Sequence, residues 1–351
     1  MEKSDTKKKR FWRIVLLILV IFMIPVTIRV YQLYRMVFTP NVIVPENTYL
    51  FIPTGSNLDS VRQILLENRL LKNIKSFNWV AEKKNYKTHV YPGRYKLANR
   101  MNNNDLINML RSGNQDPVQL VFHNIRTKEQ LSARVSSYIE ADSVNIIDLL
   151  NNEQYLSRFG FTPQTVASLF IPNTYEFNWN TDAAGFLKRM TGEYKNFWNE
   201  ERKRKAEQIG LTLIEVSTLA SIIDEESFWE EEKSIIAGVY LNRLRRGIRL
   251  QADPTIKFAI GDFTIRRVLK NHLEVNSPYN TYKYAGLPPG PIVIPSISGI
   301  EAVLNAEKHN YLYFCAKEDM SGYHYFSKTL TQHNRYARLY QQALNRQKIW
   351  K

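Results

Sequence analysis

The chain has 351 residues, enough for about two domains, and its 44% apolar and 23% charged content is ordinary for a folded protein without repeats or low-complexity tracts. A net charge of +15 marks a protein that meets anions, but no nucleic-acid motif accompanies it, so nucleic acid is not an expected partner. The single Cys315 excludes an intrachain disulfide and, within "YLYFCA", reads as a packed strand residue.

The N-terminus places a basic flank, Lys3 and Lys7–Arg10, before an uncharged apolar run from Ile14 to Ile28. The run is short for a bilayer, but Phe11, Trp12, Val30 and Tyr31 extend it, and Arg13 and Arg29 can snorkel to the two interfaces. No small-x-small cleavage site follows, so an uncleaved anchor is expected over 11–34, with a cytoplasmic tail at 1–10. The positive-inside rule then puts everything from about residue 36 outside the cytoplasmic membrane, as in a single-pass type II protein.

Beyond the anchor, "NTYLFIP" reads as a strand. In "SNLDSVRQILLENRLL", Leu58, Val61, Ile64 and Leu65 recur at helical spacing behind a Ser56 or Asn57 cap. "IKSFNWVAEKK" is a second helix and "YPGRYKL" a returning strand; "NNNDLINMLRSG" is a short helix stopped by Gly113. Residues 42–115 therefore form a small α+β module.

A larger α+β domain is expected over 116–351. It opens with the strand "VQLVFHNI" and a helix capped by Thr127 with Gln130 three residues on. "FIPNTYEFNW" reads as an aromatic loop, and one long charged helix is expected from Ala183 to Lys205. "SPYNTYKYAGLPPGPIVIPS" carries too much Pro and Gly for helix or central strand and reads as a long ordered loop. "YLYFCAKEDMSGYHYFS" predicts a hairpin, and a last helix starts near Thr331.

"DEESFWEEE", Asp224–Glu232, packs six carboxylates behind the apolar run "LASII". If one helix spans "LIEVSTLASIIDEESFW", then Leu219, Ile222, Ile223 and Trp229 fall within about 60° of Glu226. Asp224 and Glu231 point away, and Glu225 and Glu232 lie off the stripe. A carboxylic acid on an apolar face has a raised pKa and can donate its proton near neutrality, as glycoside cleavage requires. The competing reading makes Glu226 a boundary residue paired with Lys233. Glu230 also reaches the stripe in an unbroken helix.

Four segments in order, "LASIIDEES", "AGVYLNRLRRGIRLQADPT", "SPYNTYKYAGLPPGPI" and "YLYF…GYHYFS", resemble the successive motifs of the endolytic murein transglycosylase family, known as MltG or YceG-like. "LFIPNTYEF" resembles the family's Phe-Pro-Asp-Thr-Tyr loop, and "YPGRYKL" resembles a strand of its LysM-like module. The resemblance implies a LysM-like module at 42–115 and a YceG-like catalytic domain at 116–351.

It also implies a lyase reaction on peptidoglycan. One Glu protonates the oxygen between MurNAc and GlcNAc, then takes the proton of the MurNAc C6 hydroxyl, which closes on C1 to leave a 1,6-anhydro end. No water adds and no second carboxylate is needed. Nascent strands are the expected substrate, and cleavage would terminate their elongation. The family's acid precedes Thr or Ser, which maps onto Glu226 before Ser227. Asp224 and Glu225 stand where the family often has Glu and Lys, and their charge is expected to raise the pKa of Glu226 further.

Asn242, Gln251 and Asp253 in "NRLRRGIRLQADPT", and Tyr279, Asn280, Thr281 and Tyr282 in the long loop, are candidate contacts to sugar hydroxyls, N-acetyl groups and apolar sugar faces. Against that, Asn242 and Asp253 also suit local turn caps, and the loop also suits packing on its own side chains. His309, His324 and His333 match no usual zinc spacing, so no metal or cofactor is expected. Expected partners are glycan strands, the cytoplasmic membrane and peptidoglycan synthases of the elongation machinery. A non-catalytic glycan-binding scaffold and a lysozyme-type hydrolase are the alternatives; an anhydro product, lighter by one water, separates the last from the transglycosylase.

Overall fold

A computed structural model describes residues 2–122 and 125–346. The chain divides into two compact units, one of residues 1–118 with 177–180 and one of residues 119–176 with 181–351.

The first unit begins with α1 (Glu2–Phe38), which runs unbroken through Pro25. The basic flank before the apolar run is part of this helix. Its segment Arg10–Phe38 is long and apolar enough to cross a membrane, with a mean hydropathy of 2.6 in its most apolar stretch, and its large apolar side chains are exposed. Such a surface is stable in hydrocarbon and unfavourable in water.

β1 (Thr48–Ile52), α2 (Leu58–Glu67), α3 (Ile74–Lys83), β2 (Gly93–Leu97) and α4 (Asn103–Ser112) follow. Asn57 caps α2 in a reciprocal pair with Ser60, and Gly113 ends α4 in the left-handed conformation that glycine adopts without a Cβ clash. β1 and β2 pair antiparallel, Thr48 opposite Leu97 and Ile52 opposite Gly93. Leu50, Ile52, Tyr95 and Leu97 point inward from the two strands onto Val61, Leu65, Phe77, Val80, Leu106 and Leu110, so this unit has its own core.

The second unit takes shape from β3 (Val118–Val121), α5 (Lys128–Ser136), α6 (Ser143–Asn151), α7 (Glu153–Ser157) and β4 (Thr174–Phe177). His123 and Asn124 of the expected strand "VQLVFHNI" lie outside the described residues. Thr127 caps α5 as its spacing predicts, while the Gln130 side chain accepts from the Arg126 amide, one residue upstream of the cap. β3 and β4 form a two-stranded sheet, so the aromatic stretch read as a loop contains a strand.

The single helix expected over Ala183–Lys205 is two: α8 (Ala183–Phe197) and α9 (Glu200–Ile209). Asn199 accepts from the Arg202 amide and starts a new helix, while buried Trp198 anchors the break.

α10 (Leu213–Glu226), α11 (Glu230–Arg245), α12 (Asp253–Ile260) and α13 (Ile297–Leu304) then build the core of this unit. The hairpin of β5 (Tyr313–Ala316) and β6 (His324–Ser327) and the last helix α14 (Leu330–Arg346) complete it. The long loop 277–296 is irregular apart from turns, as its Pro and Gly content requires. It passes so close to Gln164 that a Cβ on Gly290 would lie 2.0 Å from the Gln164 carbonyl oxygen. The chain is thus a mixed helix and sheet protein with one apolar N-terminal helix.

Candidate functional site

α10 is the most enclosed helix of its unit, with every residue from Val216 to Ile223 buried. Thr212 and Glu215 cap its start reciprocally. At its other end the chain leaves helical geometry at Ser227, whose hydroxyl accepts from the Trp229 amide at 3.1 Å and holds a tight turn into α11. Glu226 is therefore the last helical residue. A helix unbroken through Trp229, as periodicity alone predicts, does not form; the break removes Trp229 and Glu230 from the apolar stripe and leaves Glu226 at its C-terminal end.

The other five acids each have a local partner. Asp224 accepts from Lys233 Nζ at 2.9 Å and from the amide and hydroxyl of Ser296, both at 2.7 Å. Glu225 receives Arg126 Nη2 on both oxygens at 2.9 Å. Glu230 accepts from Lys233 at 2.7 Å, and Glu231 from Tyr323 Oη at 2.5 Å. Glu232, expected off the stripe, is buried, with the His324 amide at 2.9 Å and His324 Nδ1 at 2.8 Å from its carboxylate. Lys233 serves Asp224 and Glu230, not Glu226.

Glu226 Oε1 accepts from Tyr240 Oη at 2.8 Å, and among the described residues it has no basic or backbone partner. Its pKa is pushed up to about 7. Burial of the carboxyl is the main cause; the Tyr240 bond opposes it, the charge of Asp253 adds to it, and Lys257 and Arg243 oppose it. The C-terminal end of α10, carrying the negative pole of the helix, further disfavours a carboxylate there. Asp224 and Glu225, expected to raise this pKa, are neutralised by Lys233 and Arg126; Asp253 is the acid whose charge acts. Glu226 still keeps partial solvent access, as an acid that must meet a substrate requires.

The expected contact residues divide by what already holds them. Asp253 is exposed at the start of α12 and accepts from Tyr282 Oη at 2.5 Å, and the charge of Asp253 helps to raise the pKa of Glu226. The Gln251 side chain is exposed on a backbone with φ of 53°, fixed by its amide on the Thr281 carbonyl. Tyr279 packs on Phe258, ring centroids 4.7 Å apart.

Asn242 gives both amide protons to the carbonyls of His309 and Tyr311. Asn280 is fully buried, donates to the carbonyls of Leu273 and Val275 and accepts from the Tyr282 amide. Thr281 is buried against Thr255 and the Ala252 amide. These three side chains hold loops in place, while Asp253, Tyr282 and Gln251 remain on the accessible side.

Tyr240 and Arg243 carry no signal in the sequence. Tyr240 stands in "AGVYLNRL" like any core aromatic, and only the fold aims its hydroxyl at a residue fourteen positions back. Arg243 is buried, donating to the carbonyls of Leu312, Arg249 and Leu250, and so ties α11 to the loop that follows it and to the segment leading into β5. Beside the site, a cavity of about 410 Å³ is lined by Arg126, Phe170, Phe258, Phe263, Tyr279 and Ile294 among others. Arg126 thus links this cavity to Glu225, the neighbour of Glu226.

The three histidines are separate: His309 bonds the Ile235 carbonyl, His324 bonds Glu232 and His333 stacks on Tyr313. No group of three or more His, Cys, Asp or Glu able to hold a metal occurs among the described residues. Cys315 is half-buried in β5, and burial pushes its thiol up to about 11.

The sequence model of the YceG-like family matches residues 50–339. The chain belongs to the YceG-like family. It is 32% identical to an endolytic murein transglycosylase of Bacillus subtilis over 303 residues, 81% of this chain and 82% of that one. It is 28% identical over 319 residues to an endolytic murein transglycosylase of Streptococcus pneumoniae, covering 81% of this chain and 56% of the longer pneumococcal protein. A crystal structure of a YceG-like protein from Listeria monocytogenes superposes with a TM-score of 0.54 at 28% identity, over 83% of this chain and 99% of that one.

Proposed function

We propose that this chain is a membrane-anchored endolytic transglycosylase of peptidoglycan in which Glu226 is the acid and then the base. The observation that carries the reading is the state of Glu226: a carboxyl on a partly accessible residue, bonded to the Tyr240 hydroxyl and raised by burial to a pKa of about 7. Family membership and relatives named for murein transglycosylation supply the substrate class.

In the first step protonated Glu226 gives its proton to the oxygen bridging MurNAc and GlcNAc as the C1–O bond breaks. The carboxylate so formed is held by the Tyr240 hydroxyl. In the second step it takes the proton from the C6 hydroxyl of MurNAc, whose oxygen bonds to C1. The products are a free GlcNAc hydroxyl and a 1,6-anhydro end, and Glu226 is protonated again. One carboxyl serves both steps, so a pKa near working pH suits each direction of transfer. Asp253, whose charge acts on Glu226, and its partner Tyr282 would face the sugar at C1, and Gln251 would meet its polar substituents.

The remaining parts of the reading follow the same chemistry. α1 is the anchor, with Lys7–Arg10 on the cytoplasmic side and everything from about residue 36 outside. The 42–115 module is LysM-like and holds glycan, the larger unit cuts it, nascent strands are the substrate, and elongation-stage synthases are partners.

The test is digestion of purified peptidoglycan by wild type and by Glu226→Gln, with product masses read. Wild type should release anhydro-ended fragments, and the variant should lose at least about 10³–10⁴ in rate while remaining folded and glycan-bound. Fragments heavier by one water would make the enzyme a hydrolase with Asp253 as second carboxylate. Anhydro product from Glu226→Gln at near wild-type rate would remove Glu226 from the chemistry.

A further inference from the structure

We propose that the cavity where α1 meets the first unit is a binding site for the phosphate headgroup of an anionic phospholipid; this rests on reading α1 as a membrane span. The cavity holds about 440 Å³ and is lined by Arg29, Gln32 and Arg35 of α1 and by Lys72, Asn73 and Ser76 at the start of α3, among others. No acid lines it, and among the described residues none of its three cations pairs with a carboxylate. Other arginines of the same unit do find acids: Arg62 pairs with Asp59 and Glu82, and Arg94 with Asp116. Three unneutralised cations around one concave space leave a positive potential that an anion would satisfy.

The wall behind them is fixed. Buried Asn41 donates to the Asn73 carbonyl at 3.0 Å and to Asn103 Oδ1 at 2.7 Å, and accepts from the Asn73 amide at 2.8 Å. Buried Asn103 in turn donates to the Met36 carbonyl at 2.8 Å and to Ser76 Oγ at 2.9 Å. This network joins α1, α3 and α4, so the cations on α1 and the groups at the start of α3 keep their spacing without a ligand.

The position selects a lipid over a free anion. The uncharged run ends at Ile28 and Arg29 is the next residue, so the cavity begins where hydrocarbon gives way to headgroups. Arg29, Gln32 and Met36 recur at helical spacing on one face, and the exposed Val26, Ile28 and Val30 adjoin that level to receive acyl chains. Arginine forks match phosphate oxygens two at a time, and Gln32 and Ser76 can meet the glycerol oxygens beyond.

The experiment uses the full chain in detergent, equilibrated with equal amounts of phosphatidylglycerol and phosphatidylcholine, with retained lipid read by native mass spectrometry. Wild type should retain phosphatidylglycerol over phosphatidylcholine by at least about tenfold, since each cation favours a headgroup of net negative charge and the choline of phosphatidylcholine offsets its phosphate. Arg29→Gln/Arg35→Gln/Lys72→Gln should bring the ratio to parity. Lys75→Gln/Lys83→Gln/Lys87→Gln, which removes the same charge elsewhere on the unit, should leave it. Equal loss in both variants, or no preference in wild type, would overturn the site. Complete displacement of lipid by inorganic phosphate would make it a free-anion site instead and overturn the lipid assignment. Flotation of wild type and variant with phosphatidylcholine vesicles reads the anchor by itself: both should float, and failure of both would remove the span without reference to the cavity.

Discussion

Tyr240 donates to Glu226 Oε1 at 2.8 Å from within the core of the second unit, and this bond acts against the burial that holds the carboxyl near 7. The hydroxyl stabilises the carboxylate left after the first proton transfer and fixes its orientation for the second. Tyr240→Phe removes the bond while keeping the ring that packs edge-on against Phe314. A hydrogen bond to a charged group contributes about 1.5–3 kcal/mol, so the pKa of Glu226 should rise by about one to two pH units. The descending limb of kcat/KM against pH, set by loss of the acid form, should move alkaline by that amount. An unmoved limb would mean that the group titrating in that limb is not Glu226.

The same carboxyl makes folding depend on pH. Its pKa is about 4.5 unfolded and about 7 folded, so the native state holds its proton more tightly. The stability this contributes is complete below pH 4.5 and is lost as pH rises through 7. Glu226→Gln carries no such dependence. Its stability relative to wild type should therefore grow between pH 4.5 and 7 by up to about 3 kcal/mol and then level off. Urea unfolding at pH 4.5, 6 and 8 reads the difference; a gap that stays constant would place the carboxyl in water.

The part of this site visible in sequence was the part set by local periodicity. Leu219, Ile222 and Ile223 share one stripe of α10 with Glu226, because apolar spacing over two turns needs no knowledge of the fold. The stop after Glu226 was not visible, since "SFWEEE" carries neither Gly nor Pro and the turn depends on the Ser227 hydroxyl. Nor were the partners of the neighbouring acids. Arg126 lies 99 residues from Glu225 and His324 lies 92 from Glu232, and contacts at such separations follow from tertiary packing alone. Asn280 shows the reverse error of emphasis: an amide in an aromatic loop suggests a sugar contact, yet a loop without regular structure needs its own buried amide to satisfy carbonyls such as Leu273 and Val275.

These long-range pairs separate the acids by stability. Lys233 is almost enclosed between Asp224, Glu230 and Ser298. Lys233→Met leaves Asp224 largely buried without its cation and should cost about 3–5 kcal/mol. Glu232→Gln keeps shape but forfeits the charge that receives two His324 donors and should cost about 1–3 kcal/mol. Glu231→Gln, exposed and bonded to Tyr323, should stay within about 0.5 kcal/mol. Chemical denaturation of the three variants at pH 7 gives the order directly, and a Glu232 variant as stable as the Glu231 variant would contradict the burial.

Phe228 is 98% exposed, two residues beyond Glu226, with both its neighbours fastened. Ser227 is buried, and Trp229 stacks on Tyr323 with centroids 4.5 Å apart and donates its indole N–H to the Ser321 carbonyl. An exposed ring on a turn this well held loses little entropy on contact, and it offers a flat apolar face beside the proposed acid. It should therefore bear a sugar ring of the bound strand. Contacts to an aromatic face contribute about 0.5–1.5 kcal/mol, so Phe228→Ala should raise KM by about two- to tenfold with kcat nearly unchanged. Phe228→Tyr, which keeps the face, should behave as wild type. Steady-state kinetics on soluble glycan fragments distinguish the outcomes: an unchanged KM removes the platform, and a fall in kcat alone would mean that Phe228 shapes the turn holding Glu226 instead of touching substrate.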